Sequence, residues 1–99
     1  MYAAFPLNQA TFPLAAEAGL ADLPLNASAV ITRIGTPETP EQQHLVLRLI
    51  EIGFLPGETV RVVAYGRPGR EPVAVRLGHT TFALRRHEAA FIYVLPETP

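Results

Sequence analysis

The stretch RLIEIGFLPGETVRVV, from Arg48 to Val63, constrains the fold of this 99-residue chain more than any other segment. An apolar helix pattern ends at Gly53, which suits the left-handed position that follows a helix. Pro56 and Gly57 then predict a type II turn. A valine-rich run follows at once, as in a β-strand. The chain is therefore expected to return sharply from an inserted helix to a sheet.

The predicted helix has a defined start and two unequal faces. Thr39 is expected to cap it, with Pro40 at its first position. At about 100° per residue, one broad apolar face carries Leu45, Val46, Leu49, Ile50 and Ile52. Leu47 falls instead on the polar side, beside His44 and Glu51, and is the one misplaced leucine of the helix.

Short β-strands account for most of the remaining pattern. Five are predicted, in the segments SAVITRIG, ETVRVVAYG, PVAVRLG, TTFALRR and FIYVL. A parallel sheet would need a crossover between each pair of strands, and the chain has no room for them. Short antiparallel strands usually curl into a small barrel. We expect a mainly β domain over residues 20–95, with an N-terminal extension over 1–19 and a tail over 96–99.

Composition excludes several classes of function. The chain has no cysteine, which removes disulfides and thiolate chemistry. Its eight basic residues are all arginine, scattered among nine acids, so nucleic-acid binding is disfavoured. No apolar run approaches the roughly 18 residues of a membrane helix. These features predict a soluble cytosolic protein.

Residues for catalysis are almost missing. Ser28 is the only serine and Asp22 the only aspartate, so a Ser-His-Asp triad would have to use these two residues. The chain also has no phosphate-cradling motif. No catalytic residue is assigned, and no obligatory cofactor is expected.

A weak divalent-metal site is the one metal hypothesis. Glu41 and His44 lie three positions apart on the predicted helix, where both could reach one Fe²⁺ or Zn²⁺ ion. Arg48 lies nearby and would repel a cation. The alternative is that His44, His79 and His87 are ordinary surface histidines.

Surplus apolar residues on and after the helix indicate a surface for a partner. Such surplus on a small domain commonly marks an interface. The candidate residues are Leu47, Ile50, Phe54 and Leu55. The alternative is that Phe54 caps the barrel and Leu47 contacts the N-terminal extension. A second hypothesis is that Arg85-Arg86 and Arg67/Arg70 form a surface for an acidic partner. The alternative is that these arginines are solvated side chains at loop and strand ends.

The order of these motifs resembles the ferrous-iron transport protein A family (FeoA) over about residues 20–95. The family pattern is a helix ending in Arg-Leu-x-x-Leu-Gly-Leu-x-Pro-Gly, a valine-rich strand, and three shorter motifs. The positions that match are Arg48, Leu49, Gly53, Phe54, Pro56 and Gly57, then Pro72, Val73 and Val75, then Ala83, Leu84, Arg85, Glu88, Ala89, Ile92 and Val94.

The resemblance implies an SH3-like barrel that is not an enzyme. In this family the barrel is expected to serve in the cytosol as an accessory of a membrane ferrous-iron transporter that carries a GTPase domain. Apart from the resemblance, a weak homodimer of this chain is a further expectation. The same barrel also occurs fused to iron-dependent repressors. A free-standing metal-responsive regulatory module is therefore the alternative function.

Overall fold

The computed structural model describes residues 17–97. Most of the predicted extension and the end of the predicted tail lie outside this range, as does the expected contact between Leu47 and the extension. Within it the elements are, in chain order, β1 (Ala18–Gly19), a 3-10 helix (Leu20–Asp22), β2 (Ser28–Ile34), α1 (Pro40–Ile52), β3 (Thr59–Tyr65), β4 (Val73–Leu77), β5 (Thr80–Leu84), α2 (Arg86–Ala89) and β6 (Ile92–Pro96).

All six strands form one antiparallel sheet in the order β1-β6-β2-β3-β4-β5. Register shifts between Ile31 and Arg33 in β2, and between Val62 and Ala64 in β3, interrupt the ladder. Such irregularities bend strands and increase their twist. The mainly β fold with one long inserted helix is as predicted, but the sheet has one strand more than the five expected. The additional strand is β1, whose two residues pair with Tyr93 and Val94 of β6. It lies just before residue 20, where the domain was predicted to begin.

The helix and the turn after it confirm their sequence signals. Thr39 Oγ1 accepts a hydrogen bond from the Gln42 backbone N–H, and Pro40 is the first residue of α1. Gly53 ends the helix with φ 121°, and Gly57 has φ 94° in the following turn. The Glu58 N–H donates to the Leu55 carbonyl and closes that turn. Both glycines therefore occupy backbone conformations that L side chains rarely adopt.

In the described residues a single core lies on one face of the sheet, and the 3-10 helix, α1 and α2 each contribute side chains to it. Its largest fully buried side chains are Phe54, Leu20, Leu23, Ile31, Leu49, Ile92, Val60, Val62, Val73, Val75 and Val94. From α1 only Leu45 and Leu49 are buried, so the helix contributes a narrow stripe to the core. Between residues 17 and 97, no helix is both long and apolar enough to cross a membrane.

Candidate functional site

Three exposed apolar side chains lie along α1 and just after its end. Leu47 is 57% exposed, Ile50 40% and Leu55 41%. Leu47 and Ile50 are three positions apart, which places them on the same side of the helix. Leu55 is exposed two residues after the helix ends at Gly53. We call Leu47, Ile50 and Leu55 the helix-end surface.

Phe54 does not belong to this surface, so the prediction that it contributes to a partner surface is wrong. Its side chain is fully buried. Its ring meets the Phe82 ring edge to face, with the centroids 5.7 Å apart. The physical reason is the helix reversal: once Gly53 turns the chain, the next residue points into the core and only Leu55 returns to the surface. The alternative prediction, that Phe54 caps the barrel, describes its position.

The exposure of Leu47 follows from its angular position on α1. Leu45 and Leu49 take the core side, so the residue midway between them must point outwards. Ile50 was assigned to the apolar face and lies at its rim, where the core no longer covers it. The helix therefore carries more apolar surface than its contact with the sheet uses.

The two predicted metal ligands line a cavity of about 380 Å³ between α1 and α2. Glu41 and His44 contribute from α1, and His87 and Glu88 from α2. Arg48 lies in the same cavity and forms an ion pair with Glu88. The opposing cation predicted from the sequence is therefore present.

Glu88 is already engaged as an acceptor. Its Oε1 accepts the backbone N–H of Arg85 at 2.8 Å, and its Oε2 accepts the Arg48 guanidinium. Burial by itself raises the pKa of Glu88, but these two donors outweigh that effect and leave the pKa below its ordinary value. A carboxylate held in this way is a poor candidate for binding a metal.

The donor set does not fit a resident metal ion. Nowhere in residues 17–97 do three His, Cys, Asp or Glu side chains come together in an arrangement that could hold one. Stable structural and catalytic metal sites usually supply at least three protein ligands. Glu41 and His44 leave at most an open two-ligand site at this cavity.

The sole serine and the sole aspartate each lie next to an arginine. Ser28 Oγ accepts a hydrogen bond from Arg61 Nε at 3.1 Å. An oxygen of Asp22 lies 3.8 Å from the Arg86 guanidinium. In the described part of the chain neither side chain is hydrogen-bonded to a histidine, so they form no nucleophile and base pair.

Sequence reasoning missed a separation of charge. Residues 59–86 hold six of the eight arginines and one acid, a net charge of +5 against −6 for the rest of the chain. Arg33, Arg48 and Arg86 have a carboxylate oxygen within 4 Å. Among described residues the other five have none, and we call them the arginine group: Arg61, Arg67, Arg70, Arg76 and Arg85. Counting charge in windows, instead of over the whole chain, would have found it.

Comparisons with known proteins agree on one family. The FeoA domain model matches residues 19–96. The chain is similar to Stenotrophomonas maltophilia FeoA, crystallised with zinc and described as an SH3-domain protein and a candidate bacterial ferrous iron transport activating factor. The two are 43% identical, with a TM-score of 0.67, over 76% of this chain and 86% of that one. No curated protein sequence matches.

More distant solved structures share the fold. The iron(II) transport protein A of Clostridium thermocellum is 28% identical, with a TM-score of 0.68, over 80% of this chain and 45% of that one. T. acidophilum IdeR is 20% identical, with a TM-score of 0.66, over 89% of this chain and 37% of its own length. The second likeness shows the fold alone.

Proposed function

We propose that this chain, which belongs to the FeoA family, is a non-enzymatic accessory protein of bacterial ferrous iron uptake. Its fold is the SH3-like fold of that family. In this proposal it works in the cytoplasm and binds the cytosolic GTPase domain of a membrane ferrous iron transporter, whose uptake it modulates. It reaches the inner membrane only through that partner.

The observation that carries the proposal is the helix-end surface. Leu47, Ile50 and Leu55 are exposed on one element and its exit. Burying them against a partner would remove apolar area from water at about 25 cal/mol per Å². A few such anchors usually dominate the binding free energy of an interface. The same surface would also support weak homodimerisation, in which case the transporter and a second copy would compete for it.

Absence of catalysis is part of the proposal and rests on the engaged side chains. Ser28 accepts a hydrogen bond from Arg61, and an Asp22 oxygen lies 3.8 Å from the Arg86 guanidinium. Two described carboxyl groups, Glu17 and Glu88, have a shifted pKa, and in both the pKa is lowered. General acids and bases usually show pKa values moved towards neutrality. The chain is therefore proposed to act by binding.

Metal binding enters the proposal only as a weak surface property. Glu41 and His44 would provide two ligands at the α1–α2 cavity that they line, and the Arg48 guanidinium in the same lining would oppose a cation. The zinc in the crystal of the Stenotrophomonas maltophilia relative is compatible with weak divalent binding. A dedicated iron-carrying role is not proposed.

A retention assay tests this function. The full chain is immobilised, and the purified cytosolic GTPase domain of the transporter from the same bacterium is applied with and without Fe²⁺ or Zn²⁺. Retention without metal supports the proposal. If no GTPase domain is retained and only the metal changes the protein's behaviour, the protein is a metal-responsive regulatory module instead.

A further inference from the structure

Strand β5 forms one edge of the sheet and is open. Among residues 17–97 it pairs with β4 alone, from Leu77↔Thr80 to Val73↔Leu84. In the described residues its backbone makes no hydrogen bond beyond that ladder. About half of the N–H and C=O groups of an edge strand point away from its neighbour. Such an edge is usually blocked by proline, lysine or a bulge, and Thr80–Leu84 has none of these.

The two faces of β5 border different surroundings. Phe82 lies on the core side and lines a cavity of about 330 Å³ with Leu55 and Leu77. Ala83 lies on the other side and lines a cavity of about 510 Å³ with Arg67 and Arg85. A strand added beside β5 would therefore present alternate residues to a cavity where apolar side chains lie beside Glu58 and Thr80, and to a basic cavity.

The basic side continues across the sheet. Arg76 on β4 is directly opposite Thr81, and Arg61 on β3 is directly opposite Arg76. Like charges opposite each other in an antiparallel pair are destabilising. In the described structure neither arginine has a carboxylate oxygen within 4 Å. Of the described residues that line the Arg67–Arg85 cavity, Glu71 alone carries a carboxylate, and its Oε1 accepts a hydrogen bond from the Arg86 backbone N–H. This side would thus gain from carboxylates that a partner supplies.

We propose that β5 binds an extended peptide segment of alternating acidic and apolar residues as an added strand. Backbone hydrogen bonds to β5 would hold the segment, as in other complexes formed by strand addition. Its carboxylates would face Arg67, Arg76 and Arg85, and its apolar side chains would face the cavity at Phe82. A second copy of this chain is a poorer occupant, because pairing β5 with β5 would bring two arginine groups together.

This surface is separate from the proposed contact with the transporter. It uses a strand edge and the arginine group, and it shares only Leu55 with the helix-end surface. Retention of the GTPase domain and binding of an acidic strand can therefore succeed or fail independently.

The probe is a fluorescein-labelled peptide of alternating valine and glutamate, titrated by fluorescence anisotropy with the full chain. A peptide of the same sequence, N-methylated at every residue, keeps the charges and loses the backbone donors. We expect it to bind at least about tenfold more weakly, since two or more backbone hydrogen bonds are lost. Equal binding of both peptides would overturn strand addition.

Protein variants and NMR locate the site. Arg67→Gln combined with Arg85→Gln is expected to weaken binding of the peptide roughly tenfold. The matched control is Arg33→Gln, because Arg33 is paired with Glu17 and lies outside the arginine group. Peptide-induced amide shifts and slowed hydrogen exchange should centre on Thr80–Leu84. Shifts confined to other elements would overturn the proposal, as would displacement by an oligothymidylate that binds more tightly than the peptide.

Discussion

The Arg48 guanidinium lies 2.5 Å from a carboxylate oxygen of Glu88 and joins α1 to α2 across 40 residues of sequence. Glu88 also accepts the Arg85 backbone N–H at the start of α2. Its side chain is 14% exposed, and that of Arg48 is 55% exposed. One carboxylate thus caps the short helix and attaches it to the inserted one.

Glu88→Gln should lower the free energy of unfolding by about 0.5–1 kcal/mol at neutral pH, because solvent screens the half-exposed guanidinium. The folded protein holds the pKa of Glu88 below the ordinary value of 4.5. Its contribution is therefore complete above that pH and is lost as the pH falls through the lowered pKa. Urea unfolding of both proteins at neutral pH and at about pH 3 should show the difference shrinking. Glu51→Gln is the exposed control, and a difference that does not change with pH would contradict this role.

Gly53→Val should destabilise the protein by about 1 kcal/mol or more, since φ 121° is strained for any residue with a Cβ. Crowding is not the cause, because an added Cβ would meet its nearest neighbour, a Leu77 methyl, at 3.5 Å, an ordinary contact. Thermal unfolding measures the effect. A variant that melts at the wild-type temperature would refute the assigned helix end.

Leu49→Ala should cost about 2–5 kcal/mol, as deletions from a packed core do. Leu47→Ala, two positions away on the same helix, should change the stability by no more than about 0.5 kcal/mol. Leu49 is fully buried and Leu47 is mostly exposed, so the same Leu→Ala substitution compares a core position with a surface position. Chemical denaturation measures both. Comparable losses would mean that Leu47 is covered.

Zinc should bind weakly, and His44→Ala should weaken that binding further. His79→Ala is the matched control, because His79 lies in the β4–β5 turn, away from the α1–α2 cavity. Isothermal titration calorimetry with zinc chloride measures both variants. An affinity unaffected by His44→Ala would move the zinc site elsewhere.

Much of the fold could be predicted because the residues that start and end its elements act locally. Thr39, Pro40 and Gly53 mark the helix through backbone chemistry that needs no tertiary context. The two-residue turn between β4 and β5 carries a similar local signal, because Gly78 there has φ 61°. Strand β1 was missed because two residues are too few to show an alternation of apolar and polar side chains, and neither is β-branched. Only their pairing with β6 makes them a strand.

The candidate site was less predictable than the fold. The outward position of Leu47 follows from helical geometry alone. The burial of Phe54 depends on the direction in which the chain leaves Gly53, and the helical pattern of apolar residues does not predict that direction. The cavity that brings Glu41 and His44 near His87 joins residues more than 40 positions apart, and one sequence gives no sign of it.

Binding of the transporter's GTPase domain to single-leucine variants tests the central proposal most directly. Leu47 and Leu25 are 57% and 56% exposed, so Leu47→Ser and Leu25→Ser remove equally exposed side chains from different surfaces. Isothermal titration should show at least a fivefold loss of affinity, about 1 kcal/mol, for Leu47→Ser. Leu25→Ser should bind as the wild type does. Wild-type affinity for Leu47→Ser, or an equal loss in both variants, would contradict docking through the helix-end surface.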